Sequence, residues 1–346
     1  MSAAPAPLAP WQSRLYLQLV AALDAGSLGH ALLLCGEPRM GKRALAERLA
    51  QRLLCTGHGG RPDPCGDCRG CRLYRARAQR DPLELRPDGS PAHPDGHPAH
   101  PDAVFVGYAW SDRSPPKQLT QITVDQVRAL SERLGRTPQY GDALVALIEP
   151  ADALNDSAAN ALLKTLEEPV PGRYLWLVSA RPSRLPATIR SRCQRLELRM
   201  PPADEALAWL VAQGHAQREA RAALAAARGH PGFADAWLRG GGLDLRREVA
   251  RDLEALQRGA EDPVAVAQRW MADDGPAPRL FHAADIARDR AAESLTDPLR
   301  GRRLAAWFDA ANRARELLGT TVRADLVLVE VLLGWRDAAA GGEGRG

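Results

Sequence analysis

The sequence is almost free of lysine and has no long apolar run. Of its 46 basic residues, three are lysines, Lys42, Lys117 and Lys164, and we attribute the excess of arginine to codon usage. No window approaches the roughly 20 consecutive apolar residues that a membrane-spanning helix needs. Residues 1–10 also lack the positively charged segment that opens a secretory signal. We therefore expect a cytoplasmic protein without a membrane partner.

The charge balance is close to neutral. The formal net charge is +4, from 46 basic and 42 acidic residues. A DNA-binding protein usually carries a local basic stripe, so this charge does not by itself indicate direct contact with DNA. A length of 346 residues predicts two or three domains. Hydrophobic residues at 45% and charged residues at 25% are typical of a soluble globular protein.

Strand-like and helix-like segments alternate along the first 200 residues. The pattern predicts strands over residues 31–35, 143–148, 174–179 and 194–198, and helices over residues 42–54, 124–134 and 157–166. Buried strands that alternate with helices indicate a parallel sheet covered on both faces. Residues 86–102 interrupt the pattern, because their dense proline and glycine do not hold a regular element. We interpret this segment as a surface loop insertion in preference to a histidine-rich metal site.

The chain becomes helical after residue 202. Residues 203–213, 217–228 and 232–238 are predicted to form a small helical domain, followed by a glycine linker at residues 240–242. Apolar residues spaced three and four apart predict four or five helices between residues 243 and 336. Residues 338–346 are predicted to form a disordered tail.

A glycine-rich turn of the P-loop type follows the first predicted strand. It reads Gly36-Glu-Pro-Arg-Met-Gly41-Lys42 and opens a helix, which is the context that a phosphate-binding loop requires. There the backbone N–H groups of the loop surround phosphate oxygens and the lysine adds a positive charge. The next position, where a serine or threonine would bind magnesium, is Arg43, which has no acceptor atom. A glycine turn that arose by chance is the alternative interpretation.

The second predicted strand ends in Ile148-Glu149-Pro150-Ala151-Asp152. One acidic side chain, Glu149, stands at the strand tip, where a carboxylate could help to hold magnesium. The next position, at which a catalytic glutamate would activate water, is Pro150, whose side chain cannot accept a proton. Together with Arg43, this indicates a P-loop fold that kept its shape and lost its reaction.

Four cysteines follow the P-loop helix: Cys55, Cys65, Cys68 and Cys71. The two-residue gaps in Cys65-Gly-Asp-Cys68-Arg-Gly-Cys71 allow neighbouring thiolates to bind one tetrahedral metal ion, and Gly66 and Gly70 supply backbone freedom. We favour a structural zinc ion, while a redox pair and an iron–sulfur cluster remain alternatives. Cys35 is interpreted as a buried small hydrophobe, and Cys193 is left without a role.

Two later motifs resemble those of a known family. Residues 157–169, SAANALLKTLEEP, are similar to the helix signature of bacterial clamp-loader subunits, and Ser191-Arg192-Cys193 resembles their SRC motif. Residues 122–128 and the position of the cysteine cluster match as well. The likeness covers residues 30–200 and extends to about residue 337 by domain order. It implies an α/β AAA+ domain with a parallel sheet over residues 1–200, a helical lid domain over 201–240 and an all-α collar domain over 243–337.

Three departures within this family favour the non-hydrolysing delta-prime type over the motor subunits, tau and gamma. They are Arg43 at the magnesium position, Glu149-Pro150 in place of an Asp-Glu pair, and glycine within residues 229–232, where motor subunits carry a sensor arginine. Gly36, Gly41 and Lys42 leave weak nucleotide binding by the chain open.

The resemblance also implies partners and a role. The chain would be a component of a DNA-directed DNA polymerase complex, joining motor subunits and the delta subunit in a five-membered loader that places a sliding clamp on primer–template DNA. Arg192 would be presented to ATP bound by a neighbouring motor subunit. Two alternatives stay open: an ATP-hydrolysing motor subunit, and an unrelated zinc-knuckle module for nucleic acid. The second is weakened because Tyr74 is the one aromatic residue near Arg69 and Arg72 that could stack on a base.

Overall fold

The computed structural model describes residues 7–78, 96–110, 118–272, 275–294, 297–318 and 322–339. The chain divides into two compact units, Met1–Ala234 and Asp235–Gly346. Among the helices in the described ranges, none combines the length and the apolar composition that a bilayer crossing requires.

The first unit is built on a five-stranded parallel sheet with the strand order β4-β5-β6-β1-β7. Its strands are β1 (Ala31–Gly36), β4 (Ala103–Val106), β5 (Leu144–Ile148), β6 (Arg173–Ser179) and β7 (Gln194–Leu198). Two short strands, β2 (Arg77–Ala78) and β3 (His97–Pro98), form a separate antiparallel pair. All residues of β5 are buried and so are the first five of β1, as expected of strands covered on both faces.

Helices cover both faces of this sheet. They are α1 (Pro10–Asp24), α2 (Lys42–Leu53), α3 (Arg69–Arg75), α4 (Val124–Leu134), α5 (Asp156–Glu167) and α6 (Ala187–Arg190). Side chains of β1 alternate between two cores: Leu32 and Leu34 belong to the one shared with α1 and α2, whereas Leu33 and Cys35 belong to the one shared with α4 and α5. The predicted α/β fold with a parallel sheet is therefore confirmed.

Three helices follow the sheet, as predicted: α7 (Ala203–Ala212), α8 (Gln217–Ala226) and α9 (Pro231–Gly240). The glycine linker predicted at residues 240–242 is shorter than expected. Only Gly241, with a φ of +71°, separates α9 from the next helix.

All regular elements among the described residues of the second unit are helices. Its helices are α10 (Gly242–Gln257), α11 (Pro263–Ala272), α12 (Pro276–Glu293), α13 (Pro298–Leu317) and α14 (Ala324–Ala339). Three tryptophans, Trp270, Trp307 and Trp335, lie in its core. The Trp307 indole N–H donates to the Val331 carbonyl at 2.8 Å, and that of Trp335 donates to the Leu253 carbonyl at 2.7 Å, so both buried indoles are satisfied.

The prediction of a surface loop over residues 86–102 fails where the structure describes it. His100 and Asp102 are 2% and 1% exposed. The Asp102 carboxylate accepts the backbone N–H groups of Gln139 and Tyr140, both at 2.8 Å, and thereby fixes the turn before β5. Residues 86–95 lie outside the described residues.

The prediction of a disordered tail over residues 338–346 is wrong for its first two residues. Ala338 and Ala339 belong to α14 and are buried, because they close the core of the second unit. Residues 340–346 lie outside the described part of the chain.

Candidate nucleotide loop, metal site and arginine

The predicted phosphate loop connects β1 to α2 at the carboxyl edge of the sheet. Its backbone is unusual, with φ values of +143° at Gly36, +60° at Arg39 and +78° at Gly41. A Cβ atom at Gly36 would lie 2.5 Å from the Leu198 carbonyl oxygen, and one at Gly41 would lie 1.9 Å from the side-chain nitrogen of Gln12. Gly36 is therefore required by conformation and by its approach to the Leu198 backbone, whereas Gly41 is required mainly by its left-handed conformation, since the Gln12 side chain could move.

Lys42 turns back onto this loop. Its ammonium donates to the carbonyl oxygens of Gly36 at 2.9 Å and Glu37 at 2.7 Å, and the residue is 7% exposed. Burial lowers the pKa of Lys42, although the carboxylates of Glu149 and Asp152 act in the opposite direction. The charge that the sequence assigns to phosphate binding is thus directed at carbonyl oxygens of the loop itself.

The amino end of α1 covers the loop from one side. The Gln12 side-chain amide donates to the Met40 carbonyl at 2.9 Å, and the Trp11 indole N–H reaches the same oxygen at 3.3 Å. The Gln12 side chain also accepts the backbone N–H of Ala9 at 2.9 Å. Sequence reasoning missed α1, although Pro10 at its first position is a recognisable start signal.

The start of α9 covers the loop from another side. A Cβ atom at Gly232 would lie 2.0 Å from the Arg39 carbonyl oxygen, so the helix touches the loop backbone at a residue without a side chain. His230 is 6% exposed, and burial lowers its pKa against the opposing effect of the Pro38 carbonyl. Gly232, within the segment where the family resemblance would place a sensor arginine, therefore lies directly on the loop.

Arg43 forms an ion-pair network beside the loop. Its Nε lies 2.8 Å from Glu47 Oε1, and its Nη1 lies 3.2 Å from Glu149 Oε2. The guanidinium carbon stands 5.5 Å from the centre of the Phe105 ring. Burial acts to lower the pKa of Arg43, but Glu47 and Glu149 outweigh it and the pKa is raised. The carboxylate at the end of β5 is therefore bound by an arginine of the same chain.

Asp152, the second acidic residue at this edge, is bound in a similar way. It accepts a hydrogen bond from the Ser179 hydroxyl at 2.6 Å, and its other oxygen lies 3.4 Å from Arg181 Nε. Glu149 and Asp152 thus both contact groups of the chain itself, and Pro150 between them carries no polar side-chain atom. Each of these two carboxylates is thus paired with an arginine of the same chain, Glu149 with Arg43 and Asp152 with Arg181.

The four predicted metal-binding cysteines are brought together. The Sγ atoms of Cys55, Cys65, Cys68 and Cys71 all lie within 4.8 Å of one another. The Cys65–Cys71 distance is 4.0 Å and the Cys55–Cys68 distance is 3.8 Å. Metal–sulfur bonds of about 2.3 Å in a tetrahedron place the sulfur atoms about 3.8 Å apart, so the donor set fits one metal ion.

Backbone N–H groups point at three of these sulfur atoms. The amides of Cys65, Cys68 and Cys71 donate to the sulfur atoms of Cys55, Cys65 and Cys68, at 3.3, 3.3 and 3.4 Å. Burial raises the pKa of Cys68, but the Cys71 amide and neighbouring groups outweigh it and the pKa falls to about 6. The Cys68 amide lowers the pKa of Cys65, whereas burial raises those of Cys55 and Cys71.

The two glycines of this cysteine module act differently. Gly66 has a φ of +85°, which agrees with the predicted need for backbone freedom. Gly70 lies in α3 and serves close packing instead, because a Cβ atom there would be 2.4 Å from the Leu54 carbonyl oxygen.

Cys35 and Cys193 stand apart from the cysteine module in the core between the sheet, α4 and α5. Their exposed fractions are 1% and 9%. Burial raises the pKa of both thiols, that of Cys193 to about 12. They behave as buried small hydrophobes, as predicted for Cys35.

Arg192 lies on the surface between α6 and β7, separate from the loop and from the cysteine module. Its Nη1 donates to the Thr188 carbonyl at 2.9 Å, and its Nη2 lies 2.5 Å from Glu167 Oε1. The side chain is 36% exposed. Sequence reasoning did not identify Glu167, because the pair joins two motifs that only the fold brings together.

The chain is similar in sequence to a known family and to several known proteins. Residues 11–202 match the family described as "DNA polymerase III, delta subunit". Three similar proteins are each described as "DNA polymerase III subunit delta'". That of Escherichia coli K12 is 35% identical over 245 residues, which cover 70% of this chain and 65% of the relative. That of Pseudomonas aeruginosa is 35% identical over 280 residues, covering 80% and 74%. That of Haemophilus influenzae is 32% identical over 252 residues, covering 72% and 68%.

Proposed function

Since the chain belongs to the family of DNA polymerase III delta-prime subunits, we propose that it is a non-hydrolysing subunit of a clamp loader. Its partners are the motor subunits, tau and gamma, and the delta subunit. The assembly places a sliding clamp on primer–template DNA, and the chain contacts that DNA through the complex.

The Arg43–Glu149 ion pair is the observation that carries the non-hydrolysing role. Phosphoryl transfer depends on magnesium that bridges the phosphates and on a group that positions the nucleophile. Arg43 offers no ligand atom to magnesium and binds Glu149 at 3.2 Å, while Pro150 cannot position water. Lys42 is directed at the carbonyl groups of Gly36 and Glu37.

A loader rebuilt with and without this chain tests the role. Loading of the clamp onto primed DNA should require the chain even though the chain adds no ATPase site of its own. Full loading by a complex that lacks the chain would contradict the proposal.

Arg192 would then act on a neighbouring subunit. A guanidinium is a rigid fork of donors that fits phosphate oxygens and keeps its charge. Supplied from a second protein, such an arginine accelerates nucleotide hydrolysis by roughly 10³–10⁵ in other systems. The exposed position of Arg192 supports this role, because a side chain that acts across an interface must first be accessible.

The cysteine module would hold zinc in a structural role. Four thiolates complete a tetrahedral shell and leave no open position for catalysis. The four sulfur atoms lie within 4.8 Å of one another, and the metal would tie the end of α2 to α3.

The helices of the second unit would form the collar that joins the subunits. On α14, Leu326 and Leu333 are 58% and 54% exposed. They are seven residues apart and therefore lie on one face of the helix, where a neighbouring subunit would cover them.

A further inference from the structure

The Arg192 side chain is held by two groups that lie apart in the sequence. Its Nη1 donates to the Thr188 carbonyl at 2.9 Å, and its Nη2 contacts Glu167 Oε1 at 2.5 Å. These contacts engage two of the five N–H donors of a guanidinium. These two contacts hold the guanidinium in place but use only part of its hydrogen-bonding capacity.

The backbones on both sides of this pair are tied to one core. Ile189 is fully buried and Cys193 is 9% exposed, so both flanks of Arg192 are fixed. Leu166, directly before Glu167, is 3% exposed and belongs to the same core cluster. The carboxylate and the guanidinium therefore extend from positions that core packing fixes relative to each other.

We propose that Glu167 is a positioning residue: its carboxylate orients the Arg192 guanidinium toward the ATP of the neighbouring subunit. The inference rests on the proposed function of Arg192. A free arginine side chain samples many rotamers, and its immobilisation in the transition state costs entropy. Holding the side chain in one orientation beforehand reduces that cost, which is the general advantage of pre-organised catalytic groups.

The exposure of the pair suits this role. The side chains of Arg192 and Glu167 are 36% and 49% exposed, and an exposed ion pair shifts an equilibrium by up to about five-fold. A phosphate group offers the fork two charged acceptors at once, which is the stronger interaction. Glu167 can therefore orient Arg192 without withholding it from a phosphate.

A double-mutant cycle on the reconstituted loader tests the proposal, with clamp-stimulated and DNA-stimulated ATP hydrolysis as the readout. Glu167→Ala should lower kcat about two- to five-fold and leave KM nearly unchanged. Glu167→Asp, which keeps the charge, should recover part of the rate. In the Arg192→Ala background, Glu167→Ala should have no further effect.

Glu168→Ala is the matched control. Glu168 is the next residue and lines a surface cavity with Lys164 and Pro169, so its removal should preserve the wild-type rate. An equal effect of Glu167→Ala in both backgrounds, a faster rate, or no change would overturn the assignment. No effect of Arg192→Ala alone would instead overturn the proposed function.

A measurement on the isolated full-length chain keeps the two failures separate. The Nη–H protons of Arg192, observed by nitrogen-15 NMR, should exchange with solvent more slowly in the wild type than in Glu167→Gln. Glu168→Gln should exchange like the wild type. Equal exchange rates in the wild type and Glu167→Gln would overturn the inference whatever role Arg192 has.

Discussion

Arg43 Nη1 lies 3.2 Å from Glu149 Oε2, so a residue of α2 is the partner of the carboxylate that follows β5. The same guanidinium binds Glu47 at 2.8 Å. A P-loop enzyme needs an exchangeable cation in this region to bridge the phosphates. Here the cation is covalently part of the chain and keeps its charge at any ordinary pH.

The isolated chain should therefore show no steady ATP hydrolysis above the background of a phosphate-release assay. Lys42→Ala should leave that background unchanged. Arg43→Thr restores a hydroxyl at the magnesium position, yet it should also stay inactive because Pro150 provides no base. Turnover by the wild type that disappears in Lys42→Ala would move the chain to the motor type.

The purified chain should contain one zinc ion, measured by elemental analysis. Cys68→Ser should release it, because a shell of three thiolates binds the metal less tightly. The matched control is Cys193→Ser, which changes a cysteine outside the cluster and should keep the metal. A zinc-free wild type, or iron with visible absorbance, would contradict the proposed zinc site.

The second unit should lose stability in mildly acidic solution because of His282. This residue is 2% exposed, and burial, with a contribution from Arg246, lowers its pKa to about 4. The unfolded chain, with a histidine pKa of about 6.5, takes up the proton first. The contribution of neutral His282 is therefore complete above about pH 6.5 and falls as the pH drops toward 4, by at most about 3 kcal/mol.

Urea unfolding near pH 7.5 and pH 5, followed by tryptophan fluorescence, measures this loss. His282→Phe keeps a ring in place of the imidazole that packs 4.9 Å from Trp237 and should lose less stability on acidification. Burial also lowers the pKa of His100 and His230. Because the wild type and His282→Phe both contain these two histidines, the difference between their pH dependences reports His282 alone. Identical pH dependence in the two proteins would refute this assignment.

Arg192→Ala should lower clamp-stimulated ATP hydrolysis and slow clamp loading in a reconstituted complex, while zinc content, folding and assembly stay intact. Arg192→Lys should rescue poorly, because an ammonium lacks the planar fork. Arg190→Ala, two residues away and also exposed, is the matched control. Wild-type hydrolysis and loading with Arg192→Ala would defeat the proposal and make Arg190 the next residue to test.

Replacing Leu326 and Leu333 together by glutamate should prevent incorporation into the loader, because two charges would be buried at the proposed subunit interface on α14. The variant should unfold at the wild-type temperature, since both side chains are exposed. Leu299→Glu, at a residue of α13 that is 68% exposed, serves as the control and should assemble. Size-exclusion chromatography of the mixed subunits distinguishes these outcomes, and normal assembly of the double variant would count against the proposed interface.

Elements with strong local signals could be predicted from the sequence. The bounds of α4 were predicted correctly, because Thr123 and Gln126 form a capping box at its start and Gly135 ends it. In contrast, α1 was missed because its N-cap is Ala9, whose side chain makes no capping hydrogen bond, and its first turn contains no acidic residue. Its remaining start signals are Pro10 at the first helical position and Gln12 at the third, and neither is joined by a polar N-cap side chain.

The partners of the charged residues could not be predicted. Arg43 and Glu149 are 106 residues apart, and their pairing follows from the crossover that places β5 near α2. The cysteine module, in contrast, was predictable, because three of its four ligands lie within seven residues and their spacing alone favours a common metal. The sequence predicts a surface loop around Asp102. Nothing in its proline-rich neighbourhood indicates that the Asp102 carboxylate accepts hydrogen bonds from the backbone N–H groups of Gln139 and Tyr140.

The contact between Gly232 and the Arg39 carbonyl also limits which side chains the start of α9 can carry beside the loop. A Cβ atom at residue 232 would approach that oxygen to 2.0 Å, so an arginine could not be introduced there without moving α9 or the loop. A design that adds an arginine at residue 232, as in the motor subunits that the chain resembles, would have to change the backbone first. Any residue other than glycine at position 232 would therefore require α9 or the loop to move.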